Sequence, residues 1–136
     1  MVTIKAFTDI EQSKKLSELL SFESADMSYY IWKDDGHLMS PVPFVLDGTE
    51  VKEGGMFEYI PCWSLAALYH ILPNTEHIST TLSRGGWEIE QPEYVDKWWC
   101  EYEDDNDHTR DITITADNPV DACYEIVIRL NELNLL

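Results

Sequence analysis

Two prolines bracket the stretch that most constrains this chain, Pro61-Cys-Trp-Ser-Leu-Ala-Ala-Leu-Tyr-His-Ile-Leu72 followed by Pro73. Proline suits a first helical position, where its missing N–H would have had no partner, and Pro73 cannot continue a helix and biases Leu72 away from the α region. The spacing therefore predicts a helix over 61–72. Ser64 and His70 are its only strongly polar side chains, so it lacks a solvent stripe of ordinary width and is expected to be buried on most sides.

The rest of the chain must supply that cover. At 136 residues it is long enough for a single domain (1–136) with one core, and 44% hydrophobic with 12% aromatic residues is far from a disordered composition. Nine basic against 26 acidic residues give a formal charge of -17. Phosphate backbones and anionic membrane surfaces would be repelled, and no basic patch interrupts the pattern, so direct nucleic-acid or membrane binding is not expected. The N-terminal residues do not read as a signal peptide and no stretch reaches membrane-spanning length, which predicts a cytoplasmic protein. Cys62, Cys100 and Cys123 are odd in number and widely spaced, as reduced and mostly buried thiols would be.

Thr8 with Glu11 three residues on reads as a capping box for a helix over 9–20. Met27 to Trp32 is rich in strand formers and stops at the turn Asp34-Asp35-Gly36, with a return over His37 to Met39. Val42 to Leu46 is extended, but Pro41 and Pro43 confine it to an edge. Turn signals flank Thr49 to Lys52, and Met56 to Ile60 reads as a strand feeding the central helix. Asn74 to Ser83 reads as loop with one helical turn. Trp87 to Glu90 alternates as a strand does. So does Tyr94 to Tyr102, with Tyr94, Trp98, Cys100 and Tyr102 on its inner face, and Arg110 to Thr115 returns antiparallel across a hairpin loop. Asp117-Asn118-Pro119 offers an N-cap and a proline at the first helical position, and Val120, Cys123, Ile126, Val127, Leu130 and Leu133 recur at helical spacing. The fold class this predicts is α+β, one antiparallel or mixed sheet with a buried central helix, an N-terminal helix and an amphipathic C-terminal helix.

Three groups of residues could carry chemistry. Cys62 at a helix start would have a lowered thiol pKa, and His108, with Asp111 or Asn118 to orient it, lies at a spacing some small cysteine hydrolases use. Cys-Trp opening a helix resembles papain-type peptidases over two or three residues only, and the preceding Gln and Gly-Ser are absent. The alternative for Cys62 is core packing. Glu101 to Asp107 has five acidic residues in seven, and residues 86–111 carry ten acidic and two basic side chains, a local charge of -8. Asp105, Asp107, Thr109 and Asp111 alternate somewhat as Ca²⁺ ligands do, but the turn glycine and the bidentate acid are missing, so no metal or other cofactor is assigned. The five tryptophans exceed what one core helix explains, and Trp98-Trp99 must point to opposite faces. An exposed ring beside Glu103, Asp104, Asp105 and Asp107 would suit a protein partner.

Phe7-Thr-Asp-Ile-Glu-Gln-Ser-Lys-Lys-Leu16, Glu23-Ser-Ala-Asp-Met27, Pro61-Cys-Trp-Ser-Leu-Ala-Ala-Leu68 and Asp117-Asn-Pro-Val-Asp-Ala-Cys123 together resemble a family of small uncharacterised proteins of gut anaerobic bacteria, their phages and mobile elements. The resemblance implies a genetic setting and transfers no reaction or catalytic residue. The expectation is a non-enzymatic cytoplasmic accessory protein of immunity, inhibitor or DNA-mimic type, binding a macromolecule through an acidic and aromatic surface. The alternative is a small cysteine hydrolase using Cys62 and His108. Oligomeric state is left open.

Overall fold

A computed structural model describes residues 5–40, 42–46, 55–85 and 97–136. The expected strand Trp87 to Glu90, the segment Thr49 to Lys52 and residues 94–96 lie outside the described residues. The fold is α+β, with N- and C-terminal helices and two antiparallel three-stranded sheets. The chain divides into two compact units, one of residues 7–67 and one of residues 68–136 joined by Lys5 and Ala6.

The first unit contains helix α1 (Ile10–Ser17) and strands β1 (Met27–Trp32), β2 (Phe44–Val45) and β3 (Phe57–Cys62), in the order β2-β1-β3. The capping box of α1 lies one residue later than expected. Asp9 accepts from the Gln12 N–H at 2.8 Å and Gln12 Oε1 accepts from the Asp9 N–H at 3.2 Å. This frees Thr8, which is fully buried. α1 packs on β3, over a cluster of Tyr29, Ile60 and Cys62 flanked by Phe7, Ile10, Met27 and Ile31. Asp34 and Asp35 precede the turn residue Gly36, whose φ of +76° is the left-handed region that glycine enters without steric cost. The return segment makes a single bridge, Leu38 to Ile31, rather than a full strand. β2 is the short edge the prolines require, paired to Met27 and Ser28.

Helix α2 (Leu65–Ile71) begins four residues after Pro61, correcting the expected start. Pro61 and Cys62 complete β3, opposite Ser28 and Met27. The true cap is Ser64, whose Oγ accepts from the Ala67 N–H at 3.2 Å. Asp26 holds it, taking the Ser64 N–H at 2.9 Å on one carboxylate oxygen and the Ser64 hydroxyl on the other. Within α2 Leu68 is fully buried, while Tyr69 and His70 are exposed.

The second unit holds β4 (Ile78–Arg84), β5 (Trp98–Asp104), β6 (Ile112–Ala116) and helix α3 (Pro119–Glu132), with strand order β4-β5-β6. β4 corrects the expected loop at 74–83. Its seven residues pair with β5 along their whole length, from Ile78 opposite Asp104 to Arg84 opposite Trp98. Among the described residues the strands form two sheets where one shared layer was expected. α3 forms as its sequence dictates, with Asn118 Oδ1 accepting from the Asp121 N–H at 2.8 Å and Pro119 in the first turn. It packs on β5 and β6 and buries Val120, Cys123, Ile126, Val127 and Leu130. Asp121 also meets Lys5 Nζ at 2.8 Å, tying the start of the chain to the helix. Among the described residues no helix is long and apolar enough to cross a membrane.

Candidate functional site: an aromatic sheet face and an acidic hairpin

Cys62 does not sit at a helix start. It ends a strand, is fully buried, and contacts Thr8, with its Sγ 3.3 Å from the Thr8 carbonyl and 3.5 Å from Thr8 Oγ1. The Tyr29 hydroxyl donates to the same carbonyl at 2.8 Å. Burial pushes the Cys62 thiol up, against hydrogen bonds that would lower it, so the activation expected from a helix N-terminus is reversed. His108 belongs to the other unit, where its Nδ1 bonds Asp111 Oδ2 at 3.0 Å, and that carboxylate raises the imidazole pKa. The side chain of His108 is 70% exposed. A buried neutral thiol and a solvent-facing imidazole engaged elsewhere are what core packing and a hairpin ion pair produce.

The acidic run is the tip of the β5–β6 hairpin, and its carboxylates divide into two kinds. Asp104 shares the inner face of β5 with Cys100 and Tyr102 and is 6% exposed. It accepts from the Asn106 N–H at 2.9 Å and stands 3.9 Å from Arg110 Nη1. That removes Asp104 from the expected binding surface, because strand alternation turns it inward to hold the loop. Asp107 caps the short 3₁₀ turn His108–Arg110, accepting from the hydroxyl and N–H of Thr109, and these bonds hold its pKa below the usual carboxylate value. Asp111 accepts from the Asp104 N–H at 3.0 Å, which together with His108 lowers its pKa. Asp104, Asp107 and Asp111 thus satisfy backbone N–H groups of their own loop. Among the described residues no group of three or more His, Cys, Asp or Glu is placed to hold a metal ion.

Glu103 and Asp105 remain exposed, and Glu101 is half-buried. Glu101 and Glu103 share the outer face of β5 with Trp99, beside Ser79, Thr81 and Ser83 of β4 and Thr113 and Thr115 of β6. Every side chain on that face is acidic or small and hydroxylated, apart from Trp99. Both members of the tryptophan pair are half-buried, and Arg84 lies over Trp98 at 5.9 Å from the ring centroid.

Among the described residues a second aromatic surface lies in the first unit. Strand alternation sends Tyr29 toward α1 and Tyr30 and Trp32 to the opposite face, where Phe57 and Tyr59 stand across from them and Phe44 arrives from β2. Tyr30 stacks on Phe44 with centroids 5.1 Å apart and meets Tyr59 edge-on at 4.7 Å, while Trp32 and Phe57 pack at 4.2 Å. Tyr30, Trp32, Phe57 and Tyr59 are half-buried and Phe44 is 40% exposed. Met39, whose N–H bonds the Tyr30 carbonyl, is exposed beside them. Trp63 is different. It is wholly buried with its Nε1 donating to Ser24 Oγ at 3.0 Å, as a core indole should be. The legible signal for this face was the density of rings in 29–32 and 57–59. What hid it is that only pairing with β2 and β3 shows them to be neighbours. No family model, curated protein or solved structure matches the chain.

Proposed function

We propose that this chain is a non-enzymatic accessory protein of the cytoplasm that binds another protein through its aromatic and acidic surfaces. The observation that carries the reading is the cluster of five rings on the face of β2-β1-β3 opposite α1, edged by Met39. Interface cores are enriched in Tyr, Trp, Phe and Met, because large rigid side chains bury much area for little lost conformational freedom. The charge of -17 disfavours nucleic acid as the partner. It suits a protein with a basic surface, which Glu101, Glu103 and Asp105 would steer and orient. An immunity factor, inhibitor or DNA mimic encoded by a mobile element has these requirements, and the family resemblance agrees with that setting.

The test is affinity capture from the host lysate, followed by reconstitution with the purified partner. M39E/F44E places two charges on the aromatic face at exposed sites, and E101Q/E103Q/D105N neutralises the hairpin. E11Q/E18Q/E125Q removes equal charge elsewhere. The reading expects M39E/F44E to lose the partner and the hairpin variant to bind more weakly with a shallower salt dependence, while the control binds as wild type. Capture profiles that are the same for wild type and M39E/F44E overturn it.

A further inference from the structure

A cavity of about 340 Å³ lies in the second unit between the β5–β6 hairpin and the end of α3, within the range of about 300–1,000 Å³ that small-molecule sites span. Arg110 and Asp111 line it from the hairpin with Ile112 at the start of β6, and Arg129, Leu133 and Leu135 line it from the end of α3. That helix end is fixed by its own cap. Asn134 takes a φ of +57°, its N–H donates to the Asn131 carbonyl at 3.1 Å and the Leu135 N–H donates to the Leu130 carbonyl at 2.8 Å, so the chain turns back and Leu135 stays beside the helix. The sequence has three arginines, and two of them line this one cavity. Among the described residues the lining thus carries two positive charges against one, in a chain of -17. The one acid, Asp111, is engaged with His108 and the Asp104 N–H. The guanidinium groups are held more loosely. Arg110 stands 3.9 Å from Asp104 and 3.8 Å from Asp107, and Arg129 stands 3.6 Å from Glu132, all longer than the roughly 2.7–2.9 Å of a charge-assisted hydrogen bond. A second observation lies beside the same wall. Tyr102, opposite Ile112 across the two strands, is 1% exposed, and its hydroxyl has no hydrogen-bond partner among the described residues. Burial and the Asp104 charge keep that hydroxyl protonated, and Arg110 and Asp111 of the lining act on it as well.

We propose that this cavity binds a small amphipathic monocarboxylate, with the carboxylate held between Arg110 and Arg129 and the apolar body lying on Ile112, Leu133 and Leu135. Arginine presents a planar fork of donors that matches a carboxylate, and two forks on one cavity give a single anion more partners than either gives alone. The apolar lining sets the rest of the ligand. Leu133 is 44% exposed in the free protein, and covering it with a hydrocarbon chain or ring removes that surface from water. The charge balance separates this ligand from a phosphate. One negative charge matches the lining, whereas a dianion would also meet Asp104, Asp107 and Glu132, each within 4 Å of the guanidinium groups that would hold it. A buried hydroxyl without a partner calls for one, and a carboxylate on Arg110 brings an acceptor to the side of the sheet where Tyr102 lies.

NMR titration of the full chain tests it, with octanoate and 3-phenylpropionate as probes below any micelle-forming concentration. Both acids should give saturable shifts at the Ile112, Leu133 and Leu135 methyls and at the Arg110 and Arg129 side-chain N–H groups. Octan-1-ol, which lacks the charge, acetate, which lacks the apolar body, and inorganic phosphate should each bind at least about tenfold more weakly. That comparison needs no variant. R110Q and R129Q replace exposed side chains, so both should fold, and each should weaken octanoate by about tenfold. R84Q removes the same charge outside the cavity and should bind octanoate as wild type does. Failure of both acids to shift the cavity residues, octan-1-ol or phosphate binding as tightly as octanoate, or a folded R110Q/R129Q that binds octanoate as wild type does overturns the proposal.

Discussion

Replacing Thr8 with valine should destabilise the first unit more than replacing it with serine, although valine has the shape of threonine and the greater hydrophobicity. Thr8 is fully buried, and its Oγ1 accepts from the Trp63 N–H at 3.1 Å while sharing a 2.8 Å hydrogen bond with the Ser13 hydroxyl. Valine fills the same volume but orphans a buried backbone N–H, which costs about 1–3 kcal/mol, and ends the Ser13 bond, worth about 1 kcal/mol more. The sum for Thr8→Val is about 2–4 kcal/mol. Serine keeps the hydroxyl and loses one buried methyl, about 1 kcal/mol. Urea unfolding followed by tryptophan fluorescence measures both, since Trp63 sits against Thr8 and reports its own surroundings. The expected result is a lower midpoint for Thr8→Val than for Thr8→Ser, with slopes unchanged. A valine variant as stable as wild type, or more stable than the serine variant, would refute the assignment of Thr8 as the polar hub joining α1 to β3.

Two further predictions concern the hairpin. His108 should titrate above its ordinary value of 6.5, because the Asp111 hydrogen bond and charge favour its protonated form. The pair's histidine contribution is therefore complete below pH 6.5 and fades as pH rises through the raised folded value, while that of Asp111 is present above 3.8 and is lost as pH falls through its lowered value. NMR titration of the imidazole should show the midpoint fall in Asp111→Asn, and an unchanged midpoint would remove the pairing. Separately, Asp104→Ala should cost about 1–3 kcal/mol by removing the acceptor of the Asn106 N–H, whereas Asp105→Ala should stay within about 0.5 kcal/mol. Equal thermal shifts for the two would contradict the inward placement of Asp104.

The elements that were legible in sequence are those whose signals are local. α3 announces itself by Asn118, Pro119 and an apolar repeat, β1 by its run of strand formers, and the turn by Asp34-Asp35-Gly36. α2 starts later than its sequence suggests because Pro61 is compatible with two states. It can open a helix, and it can equally occupy a strand position where its missing N–H is tolerated. Ser64 settles the matter only through Asp26, which lies 38 residues away. β4 is not legible locally because Ser79, Thr81 and Ser83 read as loop residues in isolation. They become a strand when β5 presents a complete row of hydrogen-bonding groups to them.

The division of the aromatic residues into core and surface depends on a quantity no local pattern contains, namely which face of a sheet receives a helix. Tyr29 and Tyr30 are neighbours of identical type, yet one donates to the Thr8 carbonyl at 3% exposure and the other stacks half-exposed on Phe44. α1 packs on the side of Tyr29. A single eight-residue helix covers one face of β2-β1-β3 with the Tyr29, Ile60 and Cys62 cluster, and the rings that alternate to the other side pack against one another. Tyr30, Trp32, Phe44, Phe57 and Tyr59 thus form the face on which the proposed partner would dock, and loss of that partner in M39E/F44E is the result the proposal requires.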